Sequence, residues 1–383
     1  EGTPRRGYCA LGSVKSQIGH TKGAAASAGL IKTALALHEK VLPPTIKVDK
    51  PSERLNVQES PFYINTEARP WIRDHQEHPR RASISSFGFG GTNFHVTLEE
   101  YVGADGDERP TPRLHGFDSE LLLLSGDNRE ALVVALGDLT EELAALAEGQ
   151  RSDALAHLAV EHARRFDAAA PARLALVLER DHDLPAKLRA LSQRLAAEEP
   201  LRASEGAFFS DAPPAGADEL AFVFPGQGSQ RVGMGQSLAL RFDSCRGVWD
   251  RQARRRFAEK VGGAEEGEAE ASLALHEVVF PRPVFDDAAR KEQEALLRRT
   301  EWAQPGLGLS SASMLALLRK AGLEPRFCAG HSFGEVTALH AAGVLDEEAL
   351  LTVARARGEA MARAAGEASA PGTMCAVVAP KET

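Results

Sequence analysis

The chain has 383 residues, 43% of them hydrophobic and 26% charged, a globular composition long enough for two or three domains. Its 45 basic and 54 acidic side chains leave a formal charge of −9 with no basic tail or stripe, which argues against a nucleic-acid role. No apolar run approaches the roughly 18 residues of a membrane span, and the amino terminus lacks the apolar core of a secretory signal. Four scattered cysteines (Cys9, Cys245, Cys328, Cys375) offer no CxxC pair and no metal-ligand spacing. The expectation is a cytoplasmic protein with no disulfide framework, no bound metal and no membrane span.

Three blocks differ in texture, at 1–100, 101–218 and 219–383. In the first, the Gly/Ala-rich stretch Lys22–His38 reads as a buried helix, with Thr21 as its N-cap. The prolines of VLPPTIKVDKP then force an extended loop. SPFYINTEARPW alternates like one strand, and ASISSF and FHVTLEE read as strands around Gly88, Gly90 and Gly91. Cys9 is expected as a small core residue.

The second block opens on the polar linker VGADGDERPTPRLHG and pairs ELLLLSG (strand) with NREALVVALGDLTEELAALAEG (helix). RLALVLER (strand) and LPAKLRALSQRLAAEE (helix) follow, and GAFFSD closes the block as a strand, a small α/β unit without evident chemistry. DAPPAGADE is a second linker. In the third block the strand ELAFVF turns at once into PGQGSQRVGMGQS, and WDRQARRRFAEKVGGAEEGEAEAS reads as a charged helical region. The stretch 286–322 is largely helical. RFCA is a strand that meets GHSFGE, the helices EVTALHAAGVL and DEEALLTVARARGEAMARAAG come next, and TMCAVVAP reads as a final strand.

Gly330-His331-Ser332-Phe333-Gly334 carries the sharpest chemical signal. In a GxSxG elbow the serine sits on a strained strand-to-helix turn that the flanking glycines permit, with its Oγ beside a helix amino terminus that favours an oxyanion. Gln227, between two glycines after a buried strand, leaves a backbone N–H able to donate to that oxyanion. Arg357, on a later helix, could hold a carboxylate bidentately. Each of the three has a bland reading as well: a turn that tolerates serine, an ordinary Gly-rich turn, a solvated helix charge. Their joint order is what gives them weight.

FPGQGSQ, TEWAQPGLG, GHSFGEVTALHAAGVL and ARGEAM, in that order over about 220–383, resemble the acyltransferase domain of fatty acid and polyketide synthases. That resemblance implies Ser332 as the nucleophile, Gln227 and the Phe333 N–H as oxyanion donors, and Arg357 as the clamp for a malonyl carboxylate, with Gln304 nearby. It implies malonyl-CoA as substrate and transfer to the phosphopantetheine thiol of an acyl carrier protein, with no cofactor bound directly. The family's general base is a histidine expected beyond Thr383. Of the twelve histidines, His331 is expected to be packed, His340 lies too far along its helix, and His276 is remote.

VKSQIGHTKGAAASAGLIK and SSFGFGGTNFHVTLEE resemble the carboxy-terminal part of a β-ketoacyl synthase of the thiolase fold. His20 matches that family's second histidine, Lys15 the lysine that orders its site, and Phe89 and Asn93 its Gly-rich segment. The synthase nucleophile and first histidine are expected upstream of residue 1.

The combination resembles a type I megasynthase and implies an α/β fold throughout. That fold would comprise a partial thiolase-like ketosynthase segment (1–100), an α/β linker domain (101–218) and an α/β-hydrolase-like acyltransferase core (219–383), ending at the start of a ferredoxin-like subdomain. The wording of the motifs is closest to iterative polyunsaturated fatty acid synthases. An enediyne-type iterative polyketide synthase and a catalytically silent carrier-docking scaffold are the alternatives. A homodimer through the ketosynthase is the family expectation, as is a large exposed apolar surface on residues 1–100.

Overall fold

Glycine, proline and polar residues interrupt the first stretch often, and its elements are short. The structure, a computed structural model, describes residues 6–57, 59–103, 118–180, 183–213, 219–259 and 271–367. The expected strand TMCAVVAP, and with it the start of a ferredoxin-like subdomain, lies outside the described residues. Two compact units are formed, one from residues 1–113 with 219–383 and the other from residues 114–218. The first and third blocks of sequence therefore fold into one unit, and the second block folds as its own.

The larger unit begins with β1 (Cys9–Leu11), the single turn α1 (Lys15–Ile18) and the helix α2 (Ala25–Glu39), which ends where Lys40 adopts φ +54°. α2 was expected to be buried, yet only Ala36 and Leu37 are, while Leu30, Ile31 and Leu35 stand exposed. Small residues permit close approach without supplying a partner. One face of α2 rests on a later strand, Arg81–Phe87, where an added Cβ at Gly29 would lie 3.3 Å from Ile84, and the described residues leave the other face uncovered. Thr21 does not cap the helix: it precedes a 3-10 turn over Lys22–Ala24 and its side chain makes no capping bond.

β2 (Val41–Leu42), β3 (Phe62–Ile64) and β4 (Arg69–Pro70) come next, with β3 parallel to β1 and β4 antiparallel to β2. The single strand expected over 60–71 breaks at Asn65. Its buried carboxamide Nδ2 donates to the carbonyls of Leu42, Pro43 and Glu67 at 3.1, 3.0 and 2.7 Å, holding a corner. β5 (Arg81–Phe87) and β6 (Asn93–Glu99) form the antiparallel hairpin the sequence predicts, closed where the Gly88 N–H donates to the Thr92 carbonyl at 2.9 Å.

The smaller unit has an antiparallel sheet in the order β7 (Ser119–Gly126), β8 (Ala172–Glu179), β9 (Ala207–Ser210). Its leucines alternate as a half-buried sheet requires, with Leu174, Leu176 and Leu178 of β8 inside. Three helices complete it: α3 (Arg129–Ala145), α4 (Glu148–Arg165) and α5 (Leu184–Ala196). Asn128 caps α3 by accepting from the Ala131 N–H at 2.9 Å. α4 was not foreseen, because its core contacts are only Leu155, Leu158 and Ala159 among many charges.

In the third block β10 (Ala221–Phe224) lies parallel to a strand a hundred residues later. Between them come α6 (Gln236–Arg241), α7 (Asp243–Arg251), β11 (Arg256–Glu259), β12 (Ala271–Ala274), α8 (Leu275–Val279), α9 (Asp287–Arg298) and α10 (Thr300–Lys320). β13 (Phe327–Gly330) then completes the pair and is followed by α11 (Gly334–Ala341) and α12 (Glu347–Glu367). The region 249–272 was expected to be helical, and its residues 260–270 lie outside the described residues. Instead α7 stops at Arg251, and β11 and β12 pair antiparallel, because Phe257 turns inward to meet Trp302 edge-on at 5.8 Å. Tertiary packing overrides helix propensity there.

α10 is the axis of this half. Pro305 inside it cannot donate to the Glu301 carbonyl, and Arg355 Nη1 on α12 donates to that oxygen instead, at 3.0 Å. The Arg355 guanidinium also lies over the rings of Trp302 and Phe257 at 4.7 and 4.8 Å and pairs with Glu359.

Buried charges tie residues 40–100 to α7. Asp250 accepts from the Arg73 N–H at 2.8 Å, Arg80 Nη2 at 3.0 Å and Arg246 Nε at 3.2 Å. Arg80 Nη1 reaches Glu100 at 2.9 Å, and Lys40 and Arg73 flank the same carboxylate at 3.8 and 3.7 Å.

Candidate active site

Two glycines make the elbow possible. A Cβ on Gly334 would sit 2.1 Å from the Phe224 carbonyl, and one on Gly330 2.0 Å from Gly334 C. Strand and helix are therefore pressed together on either side of Ser332, which takes φ +54°, a strained value for a residue with a side chain. The His331 N–H donates to the Phe224 carbonyl at 3.0 Å and the Glu335 N–H to the Ser332 carbonyl at 3.1 Å, so α11 starts directly after Ser332. Ser332 is exposed, and its hydroxyl has no hydrogen-bond partner among the described residues.

The turn after β10 lies directly against this elbow. A Cβ on Gly226 would stand 2.5 Å from the His331 carbonyl and 3.3 Å from Ser332 Cβ. Within the turn the Gly228 N–H donates to Gln230 Oε1 at 2.7 Å, and Ser229 Oγ donates to the Gly226 carbonyl at 2.8 Å. The N–H groups of Gln227 and Phe333 have no partner among the described residues. Phe333's ring is fully buried and fits where Gly308 has no side chain, 3.3 Å from the position a Cβ would take.

Gln304, fully buried on α10, donates through Nε2 to Gln227 Oε1 at 3.4 Å and to Met361 Sδ at 3.3 Å, while its own Oε1 has no partner among the described residues. Gln227 Nε2 in turn donates to Thr300 Oγ1 at 3.1 Å. α12 reaches this cluster by close approach: a Cβ on Gly358 would lie 2.7 Å from Glu301 Cα and from the Thr300 carbonyl. Arg357 is one helical turn before Met361 and so shares its face. It is half-buried and has no ion pair or hydrogen bond among the described residues, whereas Arg355 is fully engaged.

Ser332, Gln227, Gln304 and Arg357 thus belong to elements in mutual contact. Sequence reasoning does not single out Thr300 and Met361. Thr300 opens the TEWAQPGLG run and Met361 closes ARGEAM, so both stand inside the family motifs, with no local signal to mark them. His331 is exposed rather than packed, a correction: the elbow turns its ring outward over Gly226, 3.0 Å from where a Cβ would be. His340 is held by its Nδ1 at the Leu345 carbonyl, 2.9 Å away. His276 lies on α8. No described histidine bonds to Ser332.

His20 and Lys15 are both exposed, and among the described residues no bond joins them to each other or to the Ser332 cluster. The Lys22 N–H donates to His20 Nδ1 at 3.0 Å, with Lys22 at φ +52°. A neutral His20 therefore carries its proton on Nε2, facing outward as a donor. Phe89 is 100% exposed at the hairpin tip and Asn93 starts β6. Burial pushes the Cys9 and Cys245 thiols up, away from the thiolate an active nucleophile needs. No cluster of metal-ligating side chains is present among the described residues, and none of their helices is long and apolar enough to cross a membrane.

Three family models match: an acyl transferase domain over residues 221–382, the C-terminal domain of β-ketoacyl synthase over 1–49, and a ketoacyl-synthetase C-terminal extension over 51–167. A polyunsaturated fatty acid synthase polypeptide of Thraustochytrium sp. is 33% identical over 97% of this chain and 13% of its own length. Polyketide synthase GfsB of Streptomyces halstedii is 35% identical over 92% of this chain and 6% of its own. A phenolphthiocerol/phthiocerol polyketide synthase polypeptide of Mycobacterium tuberculosis is 33% identical over 98% of this chain and 23% of its own. The chain thus spans less than a quarter of the length of each of these relatives. It belongs to the ketosynthase–acyltransferase region of the type I polyketide and polyunsaturated fatty acid synthase family.

Proposed function

We propose that the acyltransferase half loads a malonyl group from malonyl-CoA onto Ser332 and passes it to the phosphopantetheine thiol of an acyl carrier protein. The observation that carries this reading is the pair of N–H groups, Gln227 and Phe333, without partners among the described residues, in two turns that meet at a strained, exposed serine. Ser332 Oγ attacks the thioester carbon, the carbonyl oxygen becomes an oxyanion held by the two N–H donors, and the C–S bond breaks as Oγ–acyl forms. The serine proton leaves with the coenzyme A thiol. The carrier thiol reverses the sequence. Arg357, unengaged on the face that meets Gln304, pairs with the free carboxylate of the malonyl group.

Residues 1–100 contribute to decarboxylative condensation in the same reading, with His20 Nε2–H as a donor to the developing enolate, Lys15 ordering the site, and Phe89 and Asn93 in the glycine-rich segment. The synthase works iteratively in the cytoplasm as a homodimer.

Intact-protein mass spectrometry with malonyl-, methylmalonyl- and acetyl-CoA tests the loading step. Malonyl is expected to add one acyl mass that Ser332→Ala abolishes. Arg357→Ala is expected to reduce malonyl loading at least tenfold in competition while acetyl loading rises. A malonyl adduct that survives Ser332→Ala, or no adduct from any donor in a folded protein, overturns the reading.

A further inference from the structure

We propose that Thr300 is a positioning residue for the oxyanion donor, acting through the side chain of Gln227. This rests on the loading reading above and adds to it a residue outside the reacting centre. Gln227 is flanked by glycines, and Gly228 takes φ +112°, so the backbone on its carboxyl side has no side chain to restrict it. A peptide N–H between such neighbours needs a tether if it is to stay aimed at one point, since an oxyanion donor gains its effect from being fixed before charge develops.

The tether is the Gln227 carboxamide, which is gripped at both ends. Its Nε2 donates to Thr300 Oγ1 at 3.1 Å, and its Oε1 accepts from Gln304 Nε2 at 3.4 Å. The shorter of the two bonds is the one to Thr300. Thr300 is itself fixed as the first residue of α10, where its carbonyl faces Gly358 of α12 across a gap with no room for a Cβ. Gly228's N–H is taken by Gln230, and the Gln227 N–H, without a partner among the described residues, is the amide that this grip on its own side chain orients. The same arrangement links the Arg357 helix to the oxyanion turn through α10.

The test is malonyl loading by the full chain, followed by quenched-flow mass spectrometry over a range of malonyl-CoA concentrations. Thr300→Val keeps the shape and removes the acceptor. It should lower kcat about five-fold, the equivalent of about 1 kcal/mol, with KM within about two-fold. Thr300→Ser, which restores the hydroxyl, should recover most of the rate. In a Gln227→Ala background Thr300→Val should have no further effect, because its route through the carboxamide is already gone.

An unchanged kcat in a folded Thr300→Val protein overturns the proposal, as does a Ser variant no better than Val. So does a rise in KM alone, or a full additional loss on top of Gln227→Ala, which also exposes a merely structural effect of the Val variant. A wild type that takes no acyl group, or an adduct that survives Ser332→Ala, overturns the loading reading and this inference together. Normal loading lost in Ser332→Ala beside an unaffected Thr300→Val overturns this inference alone.

Discussion

α2 and α10 are both rich in alanine and glycine, yet they end in opposite environments. α2 buries two residues of fifteen, and α10 buries thirteen of 21, including Glu301, Gln304 and two serines. The difference lies in what surrounds each. α10 is enclosed by α7, α9, α11 and α12, with Gly306 and Gly308 letting Met234 and Phe333 approach. α2 has the β5–β6 hairpin on one side and the segment that leaves its own end, through Pro44, beside it, and Leu30, Ile31 and Leu35 stay uncovered by the described residues. Small side chains allow burial, and neighbours decide whether it happens. The stretch to which α2 belongs is joined to α7 through buried charges, whereas the acyltransferase half is held by an apolar core around Trp249, Phe280 and Trp302.

The largest effect is expected where that charge network is cut. Asp250→Ala would leave Arg80 and Arg246 buried without the carboxylate they share, a loss of about 3–5 kcal/mol in chemical denaturation. A loss under about 1 kcal/mol would mean the network behaves like surface charge and does not hold the first stretch in place. The comparison of the helices themselves sharpens with a matched pair. Leu309→Ala on α10, with its side chain 1% exposed, should cost about 2–5 kcal/mol, and Leu30→Ala on α2, with its side chain 42% exposed, well under about 1 kcal/mol. Equal costs would show that α2 is covered in the working protein.

The features that could be read from sequence are those whose cause is local. The elbow was legible because its pattern lies within five residues, where Gly330 is demanded by Gly334 itself, although Gly334 is demanded by Phe224 on the distant β10. The β5–β6 hairpin was legible from its glycine cluster. What stayed hidden depends on distant partners. Nothing near Asp250 says that it will meet Arg80, and nothing near Thr300 says that it will receive the Gln227 amide. The helix expected after Arg251 gives way to strands at Arg256–Glu259 and Ala271–Ala274 for the same reason: Phe257 is drawn to Trp302, a residue far along the chain. The two arginines of ARARGEAM show the limit at its closest. Charge and helical spacing make them equals and the motif resemblance picks Arg357, yet only packing shows that Arg355 fills the place of the hydrogen bond Pro305 cannot make, while Arg357 stays free of partners among the described residues.

The smallest expected effect tests α2 from within. Lys32 lies on this mostly exposed helix, yet its ammonium reaches the Pro44 carbonyl at 2.9 Å, and burial lowers its pKa below the ordinary lysine value. The sign follows from proton counts. Below the lowered pKa both folded and unfolded chains carry the proton, and the folded state bears the full cost of a partly desolvated charge. As pH rises from the lowered value towards lysine's ordinary range, the folded state releases its proton first, so this group makes stability rise with pH and the cost is gone above that range. Lys32→Met should remove that slope while leaving the titrations of other groups in place. The difference between wild-type and variant unfolding free energies, measured from pH 8 to about 10.5, should therefore drift in the wild type's favour. A flat difference would mean that the Lys32 head is as well solvated as the exposed leucines beside it.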